Sequence, residues 1–147
     1  HSLGGEWSDG MAIFDAIRMS RCYVTIVAYG QVESMSSIIF QAADTRYITP
    51  NTYFMSHFGS TAANGEYLSV QNLVKYEKQI CDVMLSVYAK RCVEGNFFVE
   101  KYGKGAIAKV KNYLSTKLKS GDWYITANEA VNYGFADKVV DTWESLN

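Results

Sequence analysis

The feature that most constrains this chain is an apolar run, CYVTIVAY over residues 22–29, which ends in a glycine and continues as GQVESM into a segment of helical composition. A strand with apolar residues on both faces is typical of a parallel sheet that helices cover on both sides. Where such a strand turns into a helix, backbone N–H groups are left unpaired and side chains are exposed. Ser34 lies at this corner and is therefore a candidate nucleophile.

Hydrophobic periodicity predicts the other elements. Strands are predicted over residues 22–29, 46–48, 52–57 and 135–140, and helices over residues 10–19, 34–43, 66–91, 96–102 and 105–118. Ser8 or Asp9 is expected to cap the first helix. Thr126 and Glu129 have capping-box spacing before a final helix that ends at Gly134. Because strands and helices alternate, the sequence predicts an α/β fold.

The helix over residues 66–91 would be about seven turns long, which is too long for one small domain to bury. Part of it is expected to project or to contact another subunit. The 11 tyrosines fit either a subunit interface or a hydrated surface, since tyrosine combines an apolar ring with a polar tip. Both features favour an oligomer.

Length and composition exclude several classes of function. The 147 residues predict a single domain over 1–147. A net charge of −1 offers no basic surface for nucleic acid, and no apolar run is long enough to span a membrane. Cys22, Cys81 and Cys92 lack CxxC spacing, so we expect reduced, mostly buried thiols in a cytoplasmic protein. With only His1 and His57 available, a metal site is not expected.

Three side chains could together carry nucleophilic catalysis. Ser34 supplies a hydroxyl, His57 a base near the end of a strand, and Asp122 a carboxylate that could orient the base. The Gly4–Gly5 pair and the N–H of Met35 could stabilise an oxyanion. Each of these residues is common in purely structural roles, and no general spacing rule joins them. From the residues alone the function stays open.

Four segments, taken in order, resemble the ClpP family of self-compartmentalising serine peptidases. HSLGG is similar to the family's glycine loop Asn-Ser-Pro-Gly-Gly, and GQVESM to its nucleophile motif Gly-Gln-Ala-x-Ser-Met. TPNTYFMSH is similar to Leu-Pro-Asn-Ser-x-x-Met-x-His. DWYITANEAVNYGFAD matches the closing motif, an Asp followed by Glu-Ala-Val-x-Tyr-Gly-x-x-Asp. The resemblance covers essentially the whole chain.

The resemblance implies a ClpP/crotonase-like repeated β-β-α spiral with a projecting handle helix after residue 65. It implies that Ser34 is the nucleophile, His57 the base and Asp122 the triad acid. The N–H groups of Gly5 and Met35 would be the oxyanion donors. The substrate would be a peptide or an unfolded protein, cleaved through an acyl-enzyme inside homo-oligomeric stacked rings. A partner AAA+ unfoldase would use the ATP, and the peptidase itself would need no cofactor.

The chain also departs from the family pattern. Leu3 replaces the loop proline, Glu33 stands where a small residue is usual, and Ser36 replaces a glycine. We expect Glu33 to face solvent. The connection between His57 and Asp122 is longer than usual, which bears on the position of Asp122. The beginning of the family domain is expected to be missing, as in a fragment or in a divergent, phage-borne member.

Two other functions remain open from the sequence. One is a catalytically silent subunit that completes a mixed ring, although relatives of that kind usually lose a triad residue. The other is a crotonase-type acyl-CoA enzyme, which would share the fold and the glycine loop but would not need Ser34 or His57.

Overall fold

The computed structural model describes residues 1–142, so residues 143–147 of the predicted single domain lie outside the described part. The strands are β1 Thr25–Ala28, β2 Gln31–Glu33, β3 Thr45–Ile48, β4 Tyr53–Ser56, β5 Trp123–Thr126 and β6 Lys138–Val139. The helices are α1 Trp7–Met19, α2 Met35–Phe40, α3 Tyr67–Cys92, α4 Asn96–Tyr102, α5 Ile107–Leu118 and α6 Ala127–Tyr133.

The strands form two small sheets, and the chain alternates between them. One sheet has the order β1-β3-β6 with every pair parallel, and the other has the order β2-β4-β5. The chain thus passes twice through a strand of the first sheet, a strand of the second and a helix: β1, β2, α2 and then β3, β4, α3. The predicted α/β class and the repeated β-β-α arrangement are confirmed.

An aromatic cluster joins the second sheet to the helices. The ring of Phe135 lies 4.6 Å from that of Phe54 on β4 and 5.3 Å from that of Tyr88 on α3, centroid to centroid. Trp123 on β5 packs edge-on against Phe135 at 5.8 Å. Since these four rings come from separate segments, their burial fixes β4, β5 and α3 around one core.

The long helix projects, as its length predicts. Its buried residues all belong to the C-terminal part, starting at Met84. Residues 67–83 include none that is buried, and five exposed apolar side chains lie among them: Tyr67, Leu68, Val74, Tyr76 and Val83. Only about the last third of α3 therefore belongs to the core.

Other local predictions are confirmed in α6. Thr126 and Glu129 form the full capping box, with the hydroxyl of Thr126 accepting from the Glu129 N–H and the Glu129 carboxylate accepting from the Thr126 N–H. Gly134 ends the helix in the left-handed conformation at φ 80°. Glu129 has a lowered pKa because the N–H and hydroxyl of Thr126 bond its carboxylate.

Three predictions about the first half of the chain are wrong. The helix α1 begins at Trp7 after Glu6, and neither Ser8 nor Asp9 caps it. The strand predicted over 22–29 is limited to β1, and Ala28 is its only buried residue. Thr25 is exposed and Ile26 and Val27 are only partly buried, so the apolar content of this segment does not reflect burial on both faces.

The strands β2 and β5 were not expected from the sequence, because each is short and has its hydrogen-bonding partner far away in the chain. The three cysteines are free, but only Cys92 is buried, so the expectation of mostly buried thiols is also wrong. Among residues 1–142 no helix is long and apolar enough to cross a membrane.

A buried arginine ties β3 to α2 and to the segment before β6. Arg46 is only 4% exposed. Its guanidinium donates to the carboxylate of Asp137, to Oε1 of Gln41 at 2.6 Å and to the carbonyls of Gly134 at 2.8 Å and Phe135 at 3.1 Å. The planar fork of arginine can reach these groups at once, which a single ammonium cannot do.

We expect Arg46→Lys to lower the free energy of unfolding by about 2–4 kcal/mol, because several buried acceptors would lose their donor. Chemical denaturation measures this change. Arg21→Lys, at an exposed position, is the matched control and should shift stability by less than about 0.5 kcal/mol. Equal effects of the two variants would contradict a structural role for the Arg46 fork.

Candidate active site

Ser34 occupies a strained turn between β2 and α2. Its backbone has φ 51° and ψ −126°, and it is the one non-glycine residue with positive φ in the described chain. The Ser34 N–H donates to the carbonyl of Met55 at 3.0 Å, and the Ser34 carbonyl accepts from the N–H of Ser37 at 3.0 Å and from its hydroxyl at 2.6 Å. These bonds hold the Ser34 side chain at the sheet edge where helix α2 begins.

Strand register brings His57 and Asp122 to the same edge. Strand β4 ends at Ser56, which pairs with Trp123, the first residue of the antiparallel strand β5. The residue after Ser56 and the residue before Trp123 are therefore neighbours across the two strands. These residues are His57 and Asp122. The long connection between them does not displace Asp122, because the β4–β5 pairing fixes where that connection returns.

The three side chains form one hydrogen-bonded line. The Nε2 atom of His57 lies 2.8 Å from Oγ of Ser34, and its Nδ1 atom lies 3.0 Å from Oδ1 of Asp122. Ionised Asp122 can only accept, so a neutral His57 carries its proton on Nδ1 and leaves Nε2 free to accept from the Ser34 hydroxyl. The Asp122 side chain is 54% exposed and that of His57 25% exposed, so water partly screens the His57–Asp122 pair.

The glycine loop lies directly against the turn at Ser34. Ser2 pairs with β2, its N–H bonding the Gln31 carbonyl at 2.9 Å and its carbonyl accepting from the Glu33 N–H at 3.1 Å. At Gly4, φ is 101° and an added Cβ would lie 2.7 Å from Cβ of Ser34. Only glycine fits so close an approach.

Two backbone donors lie next to this turn. Gly5 directly follows the close approach of Gly4, and the space where a Cβ of Gly5 would point is open. Met35 is the first residue of α2, so its N–H has no carbonyl one turn earlier to bond. The N–H of Met35 is thus available to an oxygen atom near Ser34, and Gly5 leaves room for one.

Two residues that depart from the family motif, Glu33 and Ser36, make hydrogen bonds next to Ser34. Glu33 is only 6% exposed, and its carboxylate accepts from Nε2 of Gln31 at 3.0 Å. The expectation that Glu33 faces solvent is wrong, because β2 is covered at this position. The hydroxyl of Ser36 lies 2.9 Å from the Ser2 carbonyl and 2.6 Å from the Glu33 carbonyl, linking the glycine loop to the turn.

Two buried hydroxyl groups, those of Tyr88 and Ser37, form a hydrogen-bonded relay that supports the turn at Ser34. The hydroxyl of Tyr88 lies 2.7 Å from Oγ of Ser37, which in turn donates to the Ser34 carbonyl. Because Ser37 has one hydroxyl hydrogen, Tyr88 must be the donor in the first bond. Burial raises the pKa of Tyr88 well above its usual range, which keeps the phenol protonated. No sequence pattern pointed to Ser37 or Tyr88, since their pairing depends on α3 crossing beneath α2.

A cavity of about 350 Å³ opens beside Ser34 and His57. One side comes from the chain after the glycine loop, including Glu6 and Trp7, and the other from α3, including Glu77 and Ile80. The arrangement can hold a substrate group next to a hydroxyl, a base and free backbone donors. Within residues 1–142 no group of three or more His, Cys, Asp or Glu side chains is placed to hold a metal ion.

Comparison with known proteins gives a consistent result. The family model for Clp protease matches residues 1–143. The chain is 28% identical over 142 residues to the ATP-dependent Clp protease proteolytic subunit 2 of Pseudomonas aeruginosa, covering 95% of this chain and 63% of that protein. It is 25% identical over 140 residues to the corresponding proteolytic subunit of Deinococcus radiodurans, covering 94% and 61%. The chain spans a little under two thirds of the length of these relatives.

The relay beneath Ser34 predicts unequal effects of two conservative changes. Tyr88→Phe removes a donor but leaves Ser37 bonded to Ser34, so we expect a loss of about 1 kcal/mol in the free energy of unfolding. Ser37→Ala leaves a buried phenol hydroxyl without a partner, so we expect a loss of about 2–3 kcal/mol. Urea denaturation of the two variants compares these values. A larger loss for Tyr88→Phe would contradict the assigned direction of the bonds.

Proposed function

The chain belongs to the Clp protease family, and we propose that it is a serine peptidase. In this proposal Ser34 is the nucleophile, His57 the general base and Asp122 the carboxylate that orients it. The observation that carries the proposal is the hydrogen-bonded line from Asp122 through His57 to Ser34, set at a strained turn beside an open cavity. The names of the relatives, which are proteolytic subunits, support it.

The reaction would proceed in two halves. The Oγ atom of Ser34 attacks the carbonyl carbon of the scissile peptide bond while its proton passes to Nε2 of His57. The tetrahedral intermediate collapses as the C–N bond breaks, and His57 gives the proton to the leaving amine. Water then attacks the ester carbonyl of the acyl-enzyme, again with His57 as base, and releases the acid with Ser34 restored. Asp122 stabilises the imidazolium that forms in each half.

Backbone N–H groups would stabilise the developing oxyanion. We assign this role to the N–H groups of Gly5 and Met35, the residues that directly follow Gly4 and Ser34 in the chain. The close approach of Gly4 to Ser34 brings the loop within reach, and the helix start supplies the unpaired Met35 N–H. A larger residue at position 4 would push the loop away and remove one donor.

The substrate class and the assembly are part of the same proposal. We infer that the substrates are peptides or unfolded proteins and that the sites are enclosed in homo-oligomeric stacked rings. The exposed apolar side chains on residues 67–83 support a contact with another subunit. The relatives are named as ATP-dependent, which supports a separate AAA+ unfoldase as the ATP-using partner. The proposed peptidase reaction uses no cofactor.

Covalent labelling tests the proposed nucleophile. We expect a fluorophosphonate probe to modify Ser34 in the assembled protein, with the adduct located by peptide mass spectrometry. We expect Ser34→Ala to abolish the adduct and to lower peptide hydrolysis by at least about 10³-fold, because the acyl-enzyme cannot form. Ser8→Ala, at an exposed position on α1 that does not line the cavity, is the matched control and should keep both the labelling and the hydrolysis.

The Asp122→Asn variant tests whether the carboxylate of Asp122 contributes to catalysis. An amide cannot hold the imidazole as the carboxylate does, so we expect a decrease in kcat of about 10³- to 10⁴-fold with little change in folding. The oligomer mass is recorded on each sample. An unlabelled Ser34 in a fully assembled ring would contradict the peptidase proposal and would favour a catalytically silent ring subunit.

A further inference from the structure

The cavity beside Ser34 has an unbalanced charge. Glu6 and Glu77 both line it, whereas no lysine or arginine among residues 1–142 does so. Glu6 is exposed, and Glu77 is half-buried on α3. A cleft that is lined by carboxylates and by no described lysine or arginine has a negative potential that attracts cations.

The wall around Glu77 is apolar. Ile80 and Met84 follow it at helical spacing on the same side of α3, and Met35 and Ile38 line the cavity from α2. Cys81, four residues after Glu77, also lines the cavity. The pKa of Cys81 is raised, first by burial and then by the negative charge of Glu77. The negative charge of Glu77 therefore acts on a side chain that lines the cavity.

Among residues 1–142, Glu77 has no cationic partner. No described lysine or arginine lies within ion-pair distance of its carboxylate. The neighbouring Lys75 and Lys78 on α3 are exposed and do not line the cavity. Glu77 thus keeps an uncompensated charge beside an apolar wall, a combination that matches an aliphatic stem with a positive end.

We propose that Glu77 determines the specificity of this site, by favouring lysine or arginine at the residue whose carbonyl Ser34 attacks. The inference rests on the proposed peptidase function and adds the substrate class to it. The methylene stem of the substrate side chain lies against Ile80, Met84 and Ile38, and its cationic end lies near Glu77. Glu77 acts on binding and orientation, not on the reacting atoms.

Peptide hydrolysis tests the preference. Two peptides are compared that differ only in lysine or norleucine at this residue, because norleucine has the same length of stem without the charge. We expect kcat/KM to favour lysine by about fivefold, the size of effect that a partly screened charge pair gives. In Glu77→Gln we expect the ratio to fall close to one, with hydrolysis of the norleucine peptide changed by less than about twofold.

The matched control is Glu100→Gln on α4, an exposed carboxylate that does not line the cavity. It changes the net charge equally and should keep the lysine preference. Labelling of Ser34 by the fluorophosphonate probe is measured on every sample. Labelling with a lysine-to-norleucine ratio of one or less, or with a ratio that Glu77→Gln leaves unchanged, overturns the role of Glu77 alone. No labelling and no hydrolysis of either peptide overturns the peptidase proposal.

The rate at which Cys81 reacts with charged thiol reagents measures the charge of the cavity without requiring catalysis. In a Cys22→Ser background, where the remaining Cys92 is buried, Cys81 is treated with aminoethyl or sulfonatoethyl methanethiosulfonate. Its thiolate forms a disulfide with the reagent and displaces methanesulfinate. We expect the cationic reagent to react faster, after normalisation to a free thiol, and Glu77→Gln to reduce this rate ratio about fivefold. A ratio that Glu77→Gln does not change overturns the proposal.

Discussion

The positive-φ backbone of Ser34 is the constraint on which the rest of this site depends. A non-glycine residue at φ 51° and ψ −126° costs on the order of 1–3 kcal/mol, and it persists only where its surroundings over-determine it. Here the Ser34 N–H is bonded to β4, and its carbonyl is bonded twice to Ser37. The absence of a side chain at Gly4 leaves room for the turn. The strain is therefore balanced by contacts from three separate parts of the chain.

The same β4 strand that bonds Ser34 also positions the other two polar side chains. It pairs in parallel with β2, which leads to Ser34, and antiparallel with β5, which follows Asp122. A shift of one residue in the β4–β5 register would turn the adjoining side chains to the opposite face. The packing of Phe54 and Trp123 around Phe135 opposes such a shift, since it would expose rings that are now buried. Core packing and site geometry are thus maintained by the same contacts.

The sequence predicted those elements whose pattern is complete within a few turns. The period of α3, the capping box of Thr126 and the end of α6 at Gly134 are local, and the structure confirms them. The strands β2 and β5 have too few residues to show a period, and they exist because distant partners satisfy their hydrogen bonds. The burial of Glu33 likewise depends on what covers β2. Residue chemistry alone left Ser34, His57 and Asp122 unconnected, and only the family resemblance suggested that they meet.

Helix α3 connects the core to the cavity and to the exposed surface. Tyr88 lies beneath the Ser34 turn, whereas Glu77 and Cys81 line the cavity about two to three turns earlier, where the helix leaves the core. The position of Glu77 therefore depends on a segment that the described core does not bury. Any subunit that covers residues 67–83 would set the dielectric around Glu77, because excluding water strengthens a charge interaction. The proposed preference for a cationic side chain is for this reason expected to be strongest in the proposed assembly, and the substrate comparison is most informative there.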